Sequence, residues 1–329
     1  MLAAAWELRR RAESAITLEA LMTQAQFWGS LDGGRVDGLE AALATLVDRA
    51  WLTVATRSGD LAIAAIAVET ASELHKARSR AAFGDWMVRA EQSAACQEFC
   101  ERLHGQRIVQ FNMVDGVQLD VLLSALRLKP SDRVLDLGCG IGTLTEYIAQ
   151  RTGAQATGID FADIAIERAV RRCAGSTANV NFHVRDLDCL QLAPASFEVA
   201  LSIDTLYFVR DLSRTLADIG RILVPGGRFA AFYSAKRAEN EGTEVLSAEG
   251  TVLARALTAD GWTFEMDDFT DRDRHYWQTS RKVADELRPA FEAEGNIDLW
   301  NSRDRETDRL LCLYAENRMR RYLYVAWRE

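Results

Sequence analysis

No C-x-x-C pair occurs in the chain. Its six cysteines, Cys96, Cys100, Cys139, Cys173, Cys189 and Cys312, lie far apart or in other spacings. They read as reduced thiols of a cytoplasmic protein, and no metal site is expected. Positive charge is not in excess either. The formal net charge is −9, so no overall field draws the chain to nucleic acid or to an anionic membrane. No apolar run reaches the length needed to cross a bilayer. The opening "MLAAAW" meets "ELRRRAE" at once, so no signal peptide is expected. Internal repeats and low-complexity tracts are missing as well. Present instead is a 48% share of hydrophobic residues over 329 positions. That is enough for a main domain with a core and an accessory piece.

Residues 1–80 read as that accessory module. "SAITLEALMTQAQFW" and "DGLEAALATLVDRA" have helical spacing, the second with Asp37 as N-cap. "WLTVATRSGDLAIA" then shows two apolar strands around Ser58-Gly59-Asp60, a hairpin signal. Helix, helix and two-stranded wing is the order of a winged helix. Such a module binds DNA or serves dimerisation or pocket closure. It holds nine Lys/Arg and ten Asp/Glu, and this balance favours a dimerisation or lid role over DNA.

The second domain is predicted over 81–329. It opens with helical sequence over 81–128, broken at Pro130-Ser131. Strand and helix then alternate. The strands are "RVLDLG", "AQATGID", "VNFHV", "FEVALSID" and "GRFAAFYS", with helices at 141–151, 163–174 and 211–223. This alternation predicts an α/β, doubly wound, mostly parallel sheet covered on both faces. A helix, the strand "TFEMDDFT", an insertion over 271–318 and a last strand "RRYLYVAW" complete it. The insertion carries eleven acids and nine Lys/Arg and predicts two helices.

Three glycines alternate in "VLDLGCGIGTLTEYIA". Gly138, Gly140 and Gly142 stand where the first strand turns into the first helix. Such a turn is a ligand site at the carboxyl end of the sheet, where a helix offers free N–H groups. The spacing G-x-G-x-G differs from the G-x-G-x-x-G of dinucleotide binders. Asp136 inside the strand would repel a pyrophosphate and suits a ligand with an ammonium group. Asp160 ends the second strand, where a carboxylate accepts from ribose hydroxyls. Asp186 after the third strand can accept from an exocyclic amine, with Asp188 as a neighbour in a solvated turn.

These three motifs, followed by "SIDTLYFV" at the end of the fourth strand and "RILVPGG" before the fifth, resemble the class I S-adenosylmethionine-dependent methyltransferases, in particular their small-molecule branch. The resemblance covers 133–234 directly and implies a seven-stranded sheet with S-adenosylmethionine as cofactor. It implies that the glycines let the backbone pass close to the methionine part, while Asp136 holds its amino group. It gives Asp160 the ribose, Phe161 a place beside the adenine, and Asp186 the adenine amine. Leu187 would make a backbone contact there, and Ser202 would meet the methionine moiety.

Methyl transfer from a sulfonium is an in-line displacement that needs alignment and a dry pocket. For the acceptor side the candidates are Tyr207 and Phe208 after the fourth strand and Tyr233 after the fifth. His104, Gln110, Asn112 and Met113 in the preceding helix are further candidates. In "RHYWQTSR", His275 is either a base or an exposed lid residue. Tyr276 and Trp277 are adjacent, so on a helix at most one lines the pocket. The insertion reads as a lid whose charges are mostly a solvated surface; alternatively Arg274, Arg281 or Arg305 clamps an anionic acceptor.

The expected activity is methyl transfer to N, O or C of a small metabolite, by a protein without nucleic-acid or membrane partner that can form a homodimer. A cofactor-sensing regulator with a DNA-binding module is the alternative. A macromolecular methyltransferase is a third reading; "SIDTLYFV" stands where an asparagine-proline-proline-tyrosine motif would support it.

Overall fold

A computed structural model describes residues 16–17, 52–57, 60–66, 80, 83–105 and 108–328. The predicted helices of the accessory module lie outside the described residues, apart from Ile16–Thr17. That dipeptide, read above as part of a helix, is a strand.

The described residues fall into two compact units, Met1–Phe83 and Gly84–Glu329. In the first unit, β1 (Ile16–Thr17), β2 (Leu52–Arg57) and β3 (Asp60–Ile66) form an antiparallel sheet in the order β1-β3-β2. The predicted hairpin is the β2–β3 pair, closed at Arg57 opposite Asp60.

The second unit starts with a helical segment at 84–92, then α1 (Ala94–His104) and α2 (Gly116–Leu126). Continuous helix was expected through Gln110, Asn112 and Met113; these residues are instead irregular. The reason is local. Gly105 closes α1 in the left-handed region at φ 74°, and Asp115 opens α2 by accepting from the Gln118 N–H.

The sheet follows: β4 (Arg133–Leu137), α3 (Thr143–Thr152), β5 (Gln155–Asp160), α4 (Asp163–Cys173) and β6 (Val180–Val184). Then come β7 (Phe197–Ile203), α5 (Leu212–Ile222), β8 (Leu223–Lys236), α6 (Val252–Ala259) and β9 (Thr263–Asp268). The predicted insertion is the helical pair α7 (Thr270–Ala293) and α8 (Ile297–Ala315), and β10 (Met319–Trp327) is the last strand. Seven strands pair in the order β6-β5-β4-β7-β8-β10-β9. Neighbours from β6 to β8 run parallel, and β10 pairs antiparallel with both β8 and β9.

The chain winds outwards from β4 to β6, then returns to build β7 and β8 on the other side. The reversal point beside β4 is where a sheet of this type opens a crevice for a ligand. Alternation along β4 builds both faces at once. Leu135 and Leu137 enter the layer under α5 and α6, and Val134 enters the layer under α2 and α3. Each such side chain contributes about 1.5–3 kcal/mol by leaving water. Asp136 lies on the Val134 side. No helix among the described residues is long and apolar enough to cross a membrane.

Candidate active site

All three glycines of the turn after β4 have positive φ, at 79°, 55° and 71°, a region open to glycine at little cost. Their surroundings tell them apart. A Cβ on Gly138 would meet the Thr205 methyl at 2.4 Å, and one on Gly142 would meet the Phe182 ring at 2.3 Å. A Cβ on Gly140 would meet only the tip of the Met87 side chain, at 3.3 Å. The outer glycines therefore let the turn pass close to the protein itself. The middle one keeps a backbone face open under one flexible side chain. No side chain caps α3 at Gly142.

Two acids frame that face. Asp160 is buried, and its two oxygens accept from the Gly140 N–H at 3.0 Å and the Ala162 N–H at 2.8 Å. A carboxylate oxygen has two lone pairs, so such an acid can also accept from a ribose hydroxyl. Asp136 is buried and accepts from the Thr145 hydroxyl at 2.5 Å. Burial pushes its pKa up to about 6; Thr145 opposes the shift and the nearby Asp160 charge adds to it. An ammonium group beside Asp136 would supply the charge that this buried carboxyl lacks. The residues thus fit the amino-acid and ribose parts of S-adenosylmethionine.

Ser202 ends beside the same turn. Thr205 donates to the Leu137 carbonyl at 2.7 Å, so the Ser202 hydroxyl, 2.6 Å from Thr205, is the donor of that pair. After β6, Asp186 accepts from the Asp188 N–H at 2.9 Å and shapes the turn. Asp188 is held by Arg210, whose backbone N–H and guanidinium donate to it at 2.7 and 2.9 Å. Phe161 and Leu187 are half-buried at the ends of β5 and β6.

The acceptor candidates gather around an acid that the sequence reading did not single out. Asp204 follows β7 in the left-handed region at φ 59°. Arg321 of β10, fully buried, grips it with two N–H groups at 2.7 and 2.9 Å. Tyr207 donates to Asp204 at 3.1 Å, and the Met113 N–H donates at 3.2 Å. The Tyr207 oxygen in turn accepts from the Ser234 N–H at 2.5 Å, and its ring lies 4.9 Å from that of Tyr233. Burial raises the Tyr207 hydroxyl well above its ordinary pKa, the Asp204 charge adding to it, and burial pushes Tyr233 up to about 12. Both stay protonated at neutral pH and position groups rather than accept protons. Phe208 is exposed.

On α7, Trp277 is fully buried and donates to Asp273 at 3.1 Å. Asp273 also accepts from the Tyr314 hydroxyl and lies 3.6 Å from Arg321. Tyr276, one residue on, packs beside His104 with ring centres 5.5 Å apart. His275 is exposed, with only Thr279 at 3.5 Å. Asn112 accepts from the Val114 N–H, while Gln110 is buried against His104. Of the three arginines weighed as clamps, Arg281 is bound to Asp304 and Asp308, Arg274 pairs with Asp271 and Arg305 is exposed. Among the described residues the buried arginines are Arg303 and Arg321. The signal for Arg321 stands in "RRYLYVAW", an arginine inside an apolar strand. Among the described residues no group of three or more His, Cys, Asp or Glu is placed to hold a metal ion.

Residues 134–227 match the family described as "Methyltransferase domain". Those residues carry a methyltransferase domain. Domains of this class use S-adenosylmethionine as cofactor. The methyltransferase domain is similar to phosphoethanolamine N-methyltransferase 1 of Arabidopsis thaliana, 31% identical over 39% of this chain and 26% of that protein. It is also similar to an O-methyltransferase of Pyrenophora dematioidea, 34% identical over 33% of this chain and 42% of that one. The matches thus span well under half of these relatives. In fold, the chain resembles a phosphoethanolamine N-methyltransferase 2 of Haemonchus contortus solved with phosphomonomethylethanolamine and S-adenosylhomocysteine. That likeness has a TM-score of 0.62 at 18% identity, over 82% of this chain and 62% of the other.

Proposed function

We propose that this protein transfers a methyl group from S-adenosylmethionine to a nitrogen, oxygen or carbon of a small metabolite. The observation that carries the reading is Gly140. It has an open backbone face and is flanked by Asp136 and Asp160 at the reversal point of a sheet whose turn matches the methyltransferase family.

When bound, the cofactor supplies a methyl carbon activated by its sulfonium, so the protein's task is alignment and exclusion of water. In this reading Asp136 holds the amino group of the methionine part, and Asp160 holds the ribose while fixing the turn through Gly140 and Ala162. Phe161, Asp186 and Leu187 bound the adenine, and Ser202 meets the methionine chain. Tyr207 and Tyr233 form the acceptor wall, with their hydroxyls protonated. Gln110, Asn112 and Met113 lie in the irregular segment that faces it, and α7–α8 serves as the lid. Within that lid Tyr276 is the substrate-side residue. Trp277 holds the packing, and His275 takes no part.

Calorimetry with S-adenosylhomocysteine tests the reading. The wild type should bind, and Gly140→Val should lose binding while keeping its fold by circular dichroism. Wild-type affinity in Gly140→Val would overturn it.

A further inference from the structure

Beside the cofactor turn, α1, the segment 84–92, α7 and α8 enclose a cluster of polar groups that methyl transfer itself does not use. Arg303 of α8 is buried, with its guanidinium 5.0 Å from the centre of the Trp86 ring, 5.1 Å from that of Phe111 and 5.7 Å from that of Phe99. The contacts to this cation are the Gln110 carbonyl at 3.1 Å and Glu306 at 3.6 Å. Its Nε–H is buried without a partner, and so are the Tyr276 hydroxyl, His104 Nε2 and Trp86 Nε1.

His104 is held at Nδ1, which lies 3.0 Å from the Val114 carbonyl and 2.7 Å from the Gln110 side-chain nitrogen, itself donating to that carbonyl at 2.6 Å. The Tyr276 hydroxyl stays protonated because burial raises its pKa, although the Arg303 charge pulls the other way. Three donors, on Arg303, Tyr276 and Trp86, therefore stand buried without partners beside the His104 ring nitrogen. Unpaired buried polar groups are costly, and a set dominated by donors has an anion as its complement.

The cluster adjoins the cofactor turn. Val109 accepts from the Thr143 hydroxyl at 2.9 Å, and Met113 is tied to Asp204. The segment 108–113 therefore runs from Arg303, through Gln110, to the ends of β7 and the first turn of α3. We infer that this cluster, Arg303 with Trp86, His104 and Tyr276, holds the anionic oxygens of the methyl acceptor, so that the acceptor is a small molecule bearing a carboxylate or a phosphomonoester. The inference rests on the methyltransferase reading and narrows it to a substrate class. The aromatic rings around Arg303 hold the cation in place with Glu306 at 3.6 Å, and the anion supplies acceptors for the donors left unpaired.

The test uses the full chain saturated with S-adenosylhomocysteine, titrated calorimetrically at constant ionic strength with inorganic phosphate and, separately, with acetate. At least one anion should bind at a single saturable site. Tyr276→Phe should weaken it by about threefold and Arg303→Met by more than about tenfold, as expected for neutral and charged hydrogen bonds. S-adenosylhomocysteine affinity should stay within about twofold in both variants, since neither touches the cofactor turn. Preference for phosphate marks a phosphomonoester acceptor, preference for acetate a carboxylate, and either upholds the site. Should Arg303→Met fail to fold, Tyr276→Phe carries the decision. No saturable binding of either anion by the cofactor-bound wild type would overturn the inference and leave the methyltransferase reading standing, as would undiminished binding in Tyr276→Phe. Failure of the wild type to bind S-adenosylhomocysteine would overturn both.

Discussion

At Asp136 the side chain's chemistry is set by where β4 buries it. Its pKa of about 6 in the free protein lies inside the working range. Binding an ammonium group requires the carboxylate, so cofactor affinity should fall as pH drops through that value. From pH 8 to pH 5 the expected loss is roughly tenfold, the inverse of the fraction still ionised. Calorimetric titrations with S-adenosylhomocysteine at several pH values check it, and Asp136→Asn should bind weakly with a flat profile. Linkage to folding has the opposite sign. The pKa is raised above its ordinary 3.8, so folding disfavours the ionised form; the penalty is full above pH 6 and gone well below 4. Tyr207 makes a different demand, because its hydroxyl bridges Asp204 and the Ser234 N–H. Tyr207→Phe should cost about 1–3 kcal/mol of stability by leaving the Ser234 N–H without that acceptor, measured by urea denaturation, with cofactor affinity unchanged.

Among the elements, the strands and helices of the sheet stood clear in the sequence because each carries one period for its whole length. Buried strands such as "VLDL" and "FEVALSI" are mostly apolar runs, and α5 shows its buried face at Leu216, Ile219 and Ile222. The glycine turn and Asp160 were legible for the same reason, since local backbone chemistry dictates them. What stayed hidden is long-range. Asp204 meets Arg321 across 117 positions, and Arg303 meets Gln110 across 193; no local pattern announces such pairs. The break between α1 and α2 was missed although Gly105 and Asp115 both signal it, because the apolar residues around them suggested one helix. The helical pair α7–α8 joins the sheet through this long-range network. Arg321→Met would leave Asp204 and Asp273 buried without their cation, and an expected loss of about 3–5 kcal/mol should appear in denaturant unfolding. Trp277→Ala empties a fully buried site and should cost about 3–5 kcal/mol. Lower turnover per folded molecule in Tyr276→Ala but not in Trp277→Ala would support the division of labour between the two aromatics.

For the molecule as a whole, the chain divides into two compact units after residue 83, and the first has little excess charge of either sign. We propose that this unit serves dimerisation or pocket closure. Light scattering should then show a smaller assembly, or assays a lower activity, for a chain of residues 84–329 than for the full protein. Tight binding of duplex DNA by the full protein at physiological salt would contradict the proposal. The position of β10 has a further consequence. It is the last described strand in sequence, yet it lies inside the sheet between β8 and β9. While the protein is being made, β4 to β6 and the glycine turn are complete long before Arg321 exists. At roughly 5–20 residues per second, the 117 positions between Asp204 and Arg321 correspond to something on the order of ten seconds. From the completion of β8 to the end of that interval the long β8 edge lacks its neighbour. A nascent chain therefore has a cofactor half before it has an acceptor half, and it is open to misassembly along β8 until translation reaches the residues that close it.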